Sequence, residues 1–260
     1  MNRQKTQFHE PSRQGTGWKQ KQNLIKSGIL KIYSVFFDKR CLSCGEIVSA
    51  EEVASFGHAL CPACRDALFP NPVNPASSRS HYAPLQNQSQ AWAGFVSLGP
   101  YDGLLRQLIL DLKFRSALHV ADLLGSLLAA HLQHENLGSF DLIVPVPLHL
   151  IRLQERGYNQ SLEIGKRISR SLDVPIHTDR LLKIRHSPPQ ETLNLGERKN
   201  AVKGVFTVTA SFAGTRVLLV DDVITTGSTL KECAQLLLQA GASRVTVAVA
   251  AQAGPHQAVY

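Results

Sequence analysis

"VLLVDDVITTGST", residues 217–229, runs a buried-strand pattern into two adjacent acids and then into a hydroxyl-rich turn that carries no cation of its own. The apolar run predicts a strand reaching Asp222. Two carboxylates side by side repel, by about 1 kcal/mol at about 4 Å in water and about 4 kcal/mol at an effective dielectric of 20. A metal, a nearby Arg or Lys, or ligand hydroxyls donating to the carboxylates must compensate. Thr225, Thr226, Ser228 and Thr229 add hydroxyls, and Gly227 permits a sharp turn with close backbone approach. A helix predicted from Ser228 points its unpaired N–H groups and positive dipole end at the same spot. Acids for sugar hydroxyls beside a phosphate cradle describe a ribose 5-phosphate site. A plain strand–turn–helix with Ser/Thr caps explains the hydroxyls but not the paired acids. The G-x-x-x-x-G-K-[ST] and G-x-G-x-x-G patterns are absent, which disfavours a P-loop nucleotidase and a dinucleotide fold.

Working outward, strands and helices alternate from about residue 92. "AGFVSL" (93–98), "FDLIVPVP" (140–147), "TRVLLVDD" (215–222) and "SRVTVAVAA" (243–251) read as strands. Residues 102–114, 117–134, 160–172 and 228–240 read as helices. The pattern predicts an α/β fold with a parallel sheet flanked by helices on both faces. Ligands of such sheets sit beyond the strand carboxyl ends. Asp221-Asp222 and Pro145-Val146-Pro147 both fall there.

"VLLVDDVITTGSTL" resembles the phosphoribosyl-pyrophosphate (PRPP) loop of type I phosphoribosyltransferases. The resemblance implies a type I phosphoribosyltransferase-like fold, with Asp221 and Asp222 on the ribose hydroxyls. It places Thr225, Thr226, Gly227, Ser228 and Thr229 on the 5′-phosphate. It makes Pro145, Val146, Pro147, Leu148 and His149 the pyrophosphate loop. It also implies Mg²⁺ bound with PRPP, held mainly by ligand oxygens and water. The implied chemistry is displacement of pyrophosphate from ribose C1, by placement and charge stabilisation. Purine-type relatives often carry an acid three residues after the pair; Thr225 stands there here, as in orotate-type relatives, which argues against a 6-oxopurine acceptor.

"PVPLHLIRLQERGYNQS", 145–161, adds a second signature. Arg152 and Arg156 are spaced to share a helix face. Asn159 and Gln160 follow, and "SPPQETLNLGERKNAVKGVF" brings Gln190 and Arg198 in a polar loop able to close over a site. Together these segments resemble the ComF family, whose members join a cysteine-rich amino terminus to an amidophosphoribosyltransferase-like domain and are associated with DNA uptake in natural competence. The resemblance implies that Arg152, Arg156, Asn159, Gln160, Gln190 and Arg198 contact pyrophosphate, acceptor or DNA. It implies DNA-uptake proteins as partners.

Cys41-x₂-Cys44 and Cys61-x₂-Cys64 carry the spacing of a closed four-thiolate zinc site. Gly45 suits the knuckle turn after Cys44. So short a module has no core, so metal must supply its folding energy, about 10–16 kcal/mol for structural zinc. Redox CxxC pairs and substitution by His58 are weaker alternatives. Cys233, on a predicted apolar helix stripe, reads as core.

Composition bounds the rest. The chain has 260 residues, 43% of them hydrophobic, and a formal net charge of +8. Arg3, Lys5, Arg13, Lys19, Lys21 and Lys26 concentrate positive charge at the start. Residues 1–40 are expected to be a basic disordered leader followed by an amphipathic helix over 23–37. Residues 41–69 are the zinc-ribbon module, 70–91 a Pro/Ser/Asn/Gln-rich linker and 92–260 the phosphoribosyltransferase-like domain. No apolar run spans a membrane, and no signal-peptide core is present, so a cytoplasmic location is expected. Three functions stay open at this point. One is a ComF-like PRPP-binding protein with phosphoribosyl transfer to an unspecified acceptor. Another is a single-stranded DNA-binding factor on a non-catalytic transferase scaffold. The last is an orotate-type salvage transferase.

Overall fold

The computed structural model describes residues 39–49, 60–68, 91–135, 137–185 and 204–254. The expected helix over 23–37, the linker, His58, Gln190 and Arg198 lie outside the described residues. The chain divides into two compact units, residues 1–61 and 62–260.

In the first unit, strands β1 (Lys39–Arg40) and β2 (Ile47–Val48) pair antiparallel. The turn between them closes on itself. The Gly45 N–H donates to the Cys41 carbonyl at 2.9 Å, and the Cys41 N–H donates to the Glu46 carbonyl at 2.6 Å. Gly45 has φ +78°, a left-handed conformation that side chains resist, so the predicted knuckle glycine is required by geometry.

The second unit opens with α1 (Pro62–Leu68) and then builds a four-stranded parallel sheet. Its strands are β3 (Gly94–Pro100), β4 (Leu142–Pro145), β7 (Arg216–Ile224) and β8 (Arg244–Gln252), in the order β3-β8-β7-β4. Helices α2 (Gly103–Phe114) and α3 (Leu118–His134) lie between β3 and β4. Helices α4 (Leu150–Arg156) and α5 (Gln160–Leu172) follow β4, and α6 (Ser228–Gln239) joins β7 to β8. A short antiparallel pair, β5 (Leu181–Lys183) and β6 (Phe206–Val208), was not visible in the sequence, because three residues are too few to show a period.

The core follows from the pleat. Val217 and Leu219 of β7 join Val245, Val247 and Val249 of β8, and α6 seals that face with Leu230, Cys233, Ala234 and Leu237. Phe206 and Leu181 of the short sheet close the same cluster, so Cys233 is a core residue as expected. On the opposite face α3 and α5 pack together, contributing fully buried Leu123, Leu124, Leu128, Ile164 and Ile168. Each such side chain removed from water contributes roughly 1.5–3 kcal/mol. No helix among the described residues is long and apolar enough to cross a membrane.

One boundary differs from the sequence reading in a way that matters. Strand β7 continues through both acids to Ile224, because β8 is equally long and keeps pairing with it as far as Ile224↔Gln252. Strand β4 stops earlier, at Pro145↔Val220. The acids therefore lie inside β7 yet beyond the carboxyl end of β4, on the flank where the sheet opens.

Candidate functional site

Side chains alternate along a strand, so Asp221 continues the row of Val217 and Leu219, and Asp222 continues the row of Leu218 and Val220. The adjacent carboxylates diverge, which softens the repulsion expected for neighbours without removing it. Each has its own partner. Ser161 Oγ, in the first turn of α5, donates to Asp221 Oδ1 at 2.8 Å. Lys113 Nζ, in the last turn of α2, pairs with Asp222 Oδ2 at 3.0 Å; the two side chains are only 5% and 13% exposed. Main-chain donors add to this: Asp222 N–H reaches Asp221 Oδ1 at 2.9 Å, and Val223 N–H reaches Asp222 Oδ1 at 2.6 Å.

Asp221 keeps some exposed surface, but its carboxyl sits deep among protein atoms. That burial, reinforced by the charge of Asp222, pushes it up to about 7 against the opposing Ser161 hydrogen bond and Lys113. Lys183 on β5 lies on the same side. Its ammonium stands 5.6 Å from the centroid of the Phe206 ring. Burial pushes it down, with Asp221 pulling the other way.

The turn after β7 has the predicted form. Gly227 adopts φ 72° and ψ 2° immediately before α6, a conformation that favours glycine. Thr226 Oγ1 and Ser228 Oγ are 3.0 Å apart, and the Ser228 N–H approaches Thr226 Oγ1 at 3.4 Å. Thr225, Thr226, Ser228 and Thr229 are all partly exposed around a buried Gly227. The first N–H groups of α6 have no intrahelical acceptor, and this helix start lies at the turn.

The Pro145–His149 segment leaves the sheet alongside. Pro145 is the last residue of the edge strand β4, where a missing donor is tolerated. Val146 N–H still reaches the Val220 carbonyl at 2.9 Å, which fixes the segment beside the acids. Pro147, Leu148 and His149 are partly exposed, and His149 Nδ1 accepts the Ile151 N–H at 3.3 Å to cap α4.

The "RGYNQS" signature is revealed as scaffolding as much as surface. Asn159 caps α5 by accepting the Ser161 N–H at 3.0 Å, while its Nδ2 donates to the Val146 carbonyl at 2.9 Å. Tyr158 Oη donates to the Leu112 carbonyl at the end of α2. Arg156 lies 5.5 Å from the Phe114 ring centroid and donates to Gln160 Oε1 at 3.3 Å. Gln160 itself is 1% exposed, so its side chain faces protein. Arg152 and Arg156 do share α4, and Arg152 pairs with Glu155 at 3.0 Å on the surface. Two residues escaped the sequence reading. Lys113 looks like an ordinary basic residue at a helix end, and Ser161 like an ordinary first-turn serine. The paired acids signal the need for a cation and a hydroxyl donor, but nothing local marks Lys113 and Ser161 as the residues that meet it.

The Cys41, Cys44, Cys61 and Cys64 sulfurs lie within 4.8 Å of one another, with Cys44 and Cys61 Sγ 3.7 Å apart. Tetrahedral zinc with bonds of about 2.3 Å sets its sulfurs about 3.8 Å apart, so the donor set fits a four-thiolate ion. Burial alone would raise the Cys41 thiol; main-chain N–H groups of Cys44, Cys61 and Ser43 outweigh it and bring it to about 6.

The chain is similar to several known proteins. The Phosphoribosyl transferase domain family model matches residues 158–259. Competence protein F of Haemophilus influenzae is 32% identical over 226 residues, covering 82% of this chain and 96% of that protein. The DNA utilization protein YhgH of Escherichia coli is 36% identical over 160 residues, 60% of this chain and 70% of that one. Among solved structures, the glutamine PRPP amidotransferase of Bacillus subtilis, complexed with ADP and GMP, overlaps 51% of this chain and 26% of its own. It does so at 21% identity and a TM-score of 0.36.

Proposed function

We propose that this chain, which belongs to the competence protein F (ComF) family of phosphoribosyltransferase-domain proteins, binds PRPP and supports DNA uptake. The observation that carries the reading is the diverging Asp221–Asp222 pair on β7, followed directly by a Gly227-capped helix start. Ribose 2′- and 3′-hydroxyls donate to the two carboxylates. The 5′-phosphate lies in the Thr225–Thr229 turn, against the α6 N–H groups and hydroxyls. Pyrophosphate lies along Pro145–His149, with Arg152 and Arg156 of the following helix as candidate cations for it; Gln190 and Arg198 stay candidates on the family resemblance alone. Mg²⁺, carried in with PRPP, supplies neutralisation of the pyrophosphate charge. Where an acceptor is present, the protein's part in transfer is to hold ribose C1 open and to stabilise the departing pyrophosphate. The competence role comes from the names of the relatives, and components of a DNA-uptake apparatus are the partners it implies. Four-thiolate zinc at Cys41, Cys44, Cys61 and Cys64 holds the amino-terminal module together.

Titration calorimetry with PRPP and Mg²⁺ tests the reading. Heat is expected from the wild type and none from the Asp221→Asn/Asp222→Asn double variant. Silence from the wild type, or equal heat from both, overturns it. A screen of free bases for pyrophosphate release then asks for the acceptor, and orotate-dependent release would revive the salvage alternative.

A second reading has its own observation. Phe114 is 58% exposed and has the Arg156 guanidinium against its ring. An exposed aromatic with a neighbouring arginine is the kind of platform on which unpaired bases stack. Oligonucleotide binding that falls steeply with salt and weakens in Phe114→Ala supports a single-stranded DNA role. Salt-independent or absent binding removes it.

A further inference from the structure

We propose that Lys113 and Ser161 are the positioning residues of the acidic pair, Lys113 clamping Asp222 and Ser161 aiming Asp221, so that one Asp221 oxygen is left open for the ligand. This inference rests on the PRPP reading above.

The oxygens can be accounted for one by one. Asp222 Oδ2 is taken by Lys113 at 3.0 Å and Oδ1 by the Val223 N–H at 2.6 Å. Asp221 Oδ1 is taken by Ser161 Oγ at 2.8 Å and by the Asp222 N–H at 2.9 Å. Asp221 Oδ2 is the oxygen that takes no such bond among the described residues. The pair is thus asymmetric. Asp222 is fixed and charge-paired, with lone pairs left over for a ribose hydroxyl, whereas Asp221 keeps a whole oxygen for the ligand.

Lys113 is itself too buried, at 5% side-chain exposure, to serve as an outer-surface ligand contact. A cation so enclosed is stable only against a partner charge, and Asp222 is that partner. Its position is held from a second direction. Tyr158 Oη grips the carbonyl of Leu112, and Arg156 covers Phe114, so the residues on both sides of Lys113 are clasped by the "RGYNQS" segment. That same segment delivers Ser161 to Asp221. One segment therefore sets both partners, while its Asn159 and Gln160 amides are engaged within the protein.

The groups facing Asp221 are Asp222 on its own strand, Lys113 from α2, Ser161 from α5, Lys183 from β5 and Cys233 from α6. Of these, Asp222 raises its proton affinity, while Ser161 and Lys113 lower it. Burial holds Cys233 protonated, so it contributes no charge near neutrality. Removing Lys113 uncovers the full charge of Asp222 and drives the Asp221 carboxyl further up. Ribose hydroxyls donate best to an ionised carboxylate. Affinity should therefore rise with pH through the Asp221 transition, and that transition should move.

The test measures PRPP–Mg²⁺ affinity by calorimetry from pH 6 to 8.5, together with ¹³C carboxyl titration of Asp221, on the full chain. Variants are Lys113→Gln, Lys113→Arg and Ser161→Ala, with Lys166→Gln on the exposed face of α5 as control. In Lys113→Gln the affinity midpoint and the carboxyl titration should both move to higher pH. Affinity at pH 7 should drop about fivefold for the first unit moved and about tenfold for each further unit. Lys113→Arg should restore the wild-type profile in large part. Ser161→Ala, which removes the hydroxyl that donates directly to the Asp221 carboxylate, should shift the midpoint in the same direction by at least as much. Profiles of Lys113→Gln and Ser161→Ala that overlay the wild type refute the proposal. If Lys113→Gln fails to fold, Ser161→Ala and Lys113→Arg still decide it. If the wild type binds no PRPP, the PRPP reading falls, and an unmoved Asp221 titration in these variants would separately refute the positioning role.

Discussion

Replacing Asp221 by Asn should make the protein more stable while it destroys the site. An acid whose proton affinity is raised on folding works against the folded state at neutral pH. The unfolded chain ionises near 3.8, whereas the folded carboxyl holds its proton to about 7. Below pH 4 both states are protonated and the residue is neutral in the balance. Between 4 and 7 the unfolded state alone ionises, and the penalty grows; above 7 it is constant. A rise of roughly three units at about 1.36 kcal/mol per unit sets a ceiling of about 4 kcal/mol. Part of that cost is shared with Asp222 and Lys113, so a gain of about 1–2 kcal/mol is expected from Asp221→Asn at pH 8. The amide oxygen of Asn can still accept from Ser161 and the Asp222 N–H, and its new NH₂ takes the ligand-facing position of Oδ2. For a domain of this size the gain corresponds to a Tm rise of about 2–8 °C. Thermal and urea unfolding of both proteins at pH 4.5, 6, 7 and 8.5 reads it out. The difference should grow with pH and level off above 7. A variant less stable than wild type at pH 8, or a difference that ignores pH, refutes the reasoning.

Other outcomes follow from the same geometry. Gly227→Ala forces a side chain into φ 72°, and should cost about 1–2 kcal/mol of stability and lower PRPP affinity more than a surface substitution does, as calorimetry would show. Asn159→Ala removes both the α5 cap and the tie to Val146, and should destabilise by about 1–2 kcal/mol in urea titrations. Metal analysis of purified protein should give one zinc per chain. Cys61→Ser should lose it and open the residues 39–49 region to proteolysis, whereas folded protein with no zinc would contradict the thiolate site.

Much of the site was legible because its chemistry is contiguous in the chain. Asp221, Asp222 and the Thr225–Thr229 turn occupy one short stretch, and the cysteine pairs announce themselves by spacing. The long helices read well for a similar reason: α5 spans Gln160–Leu172, as its apolar spacing required. What stayed hidden is what tertiary structure brings together. Lys113 and Asp222 are more than a hundred positions apart, and nothing in "LDLKF" marks that lysine as buried. Asn159 and Gln160 read as candidate ligand contacts, yet Asn159 donates to the Val146 carbonyl and Gln160 is 1% exposed. Sequence shows that polar side chains are present but not which way they point. The extension of β7 to Ile224 was hidden too, since it depends on the length of β8 and not on local preference.

A structure determined from crystals soaked in PRPP and Mg²⁺ tests the central claim most directly. The 5′-phosphate should lie against the Thr225–Thr229 turn and the ribose hydroxyls on Asp221 and Asp222, with Lys113 still bound to Asp222. PRPP seated anywhere else, or a pocket that stays empty at saturating ligand, would contradict it.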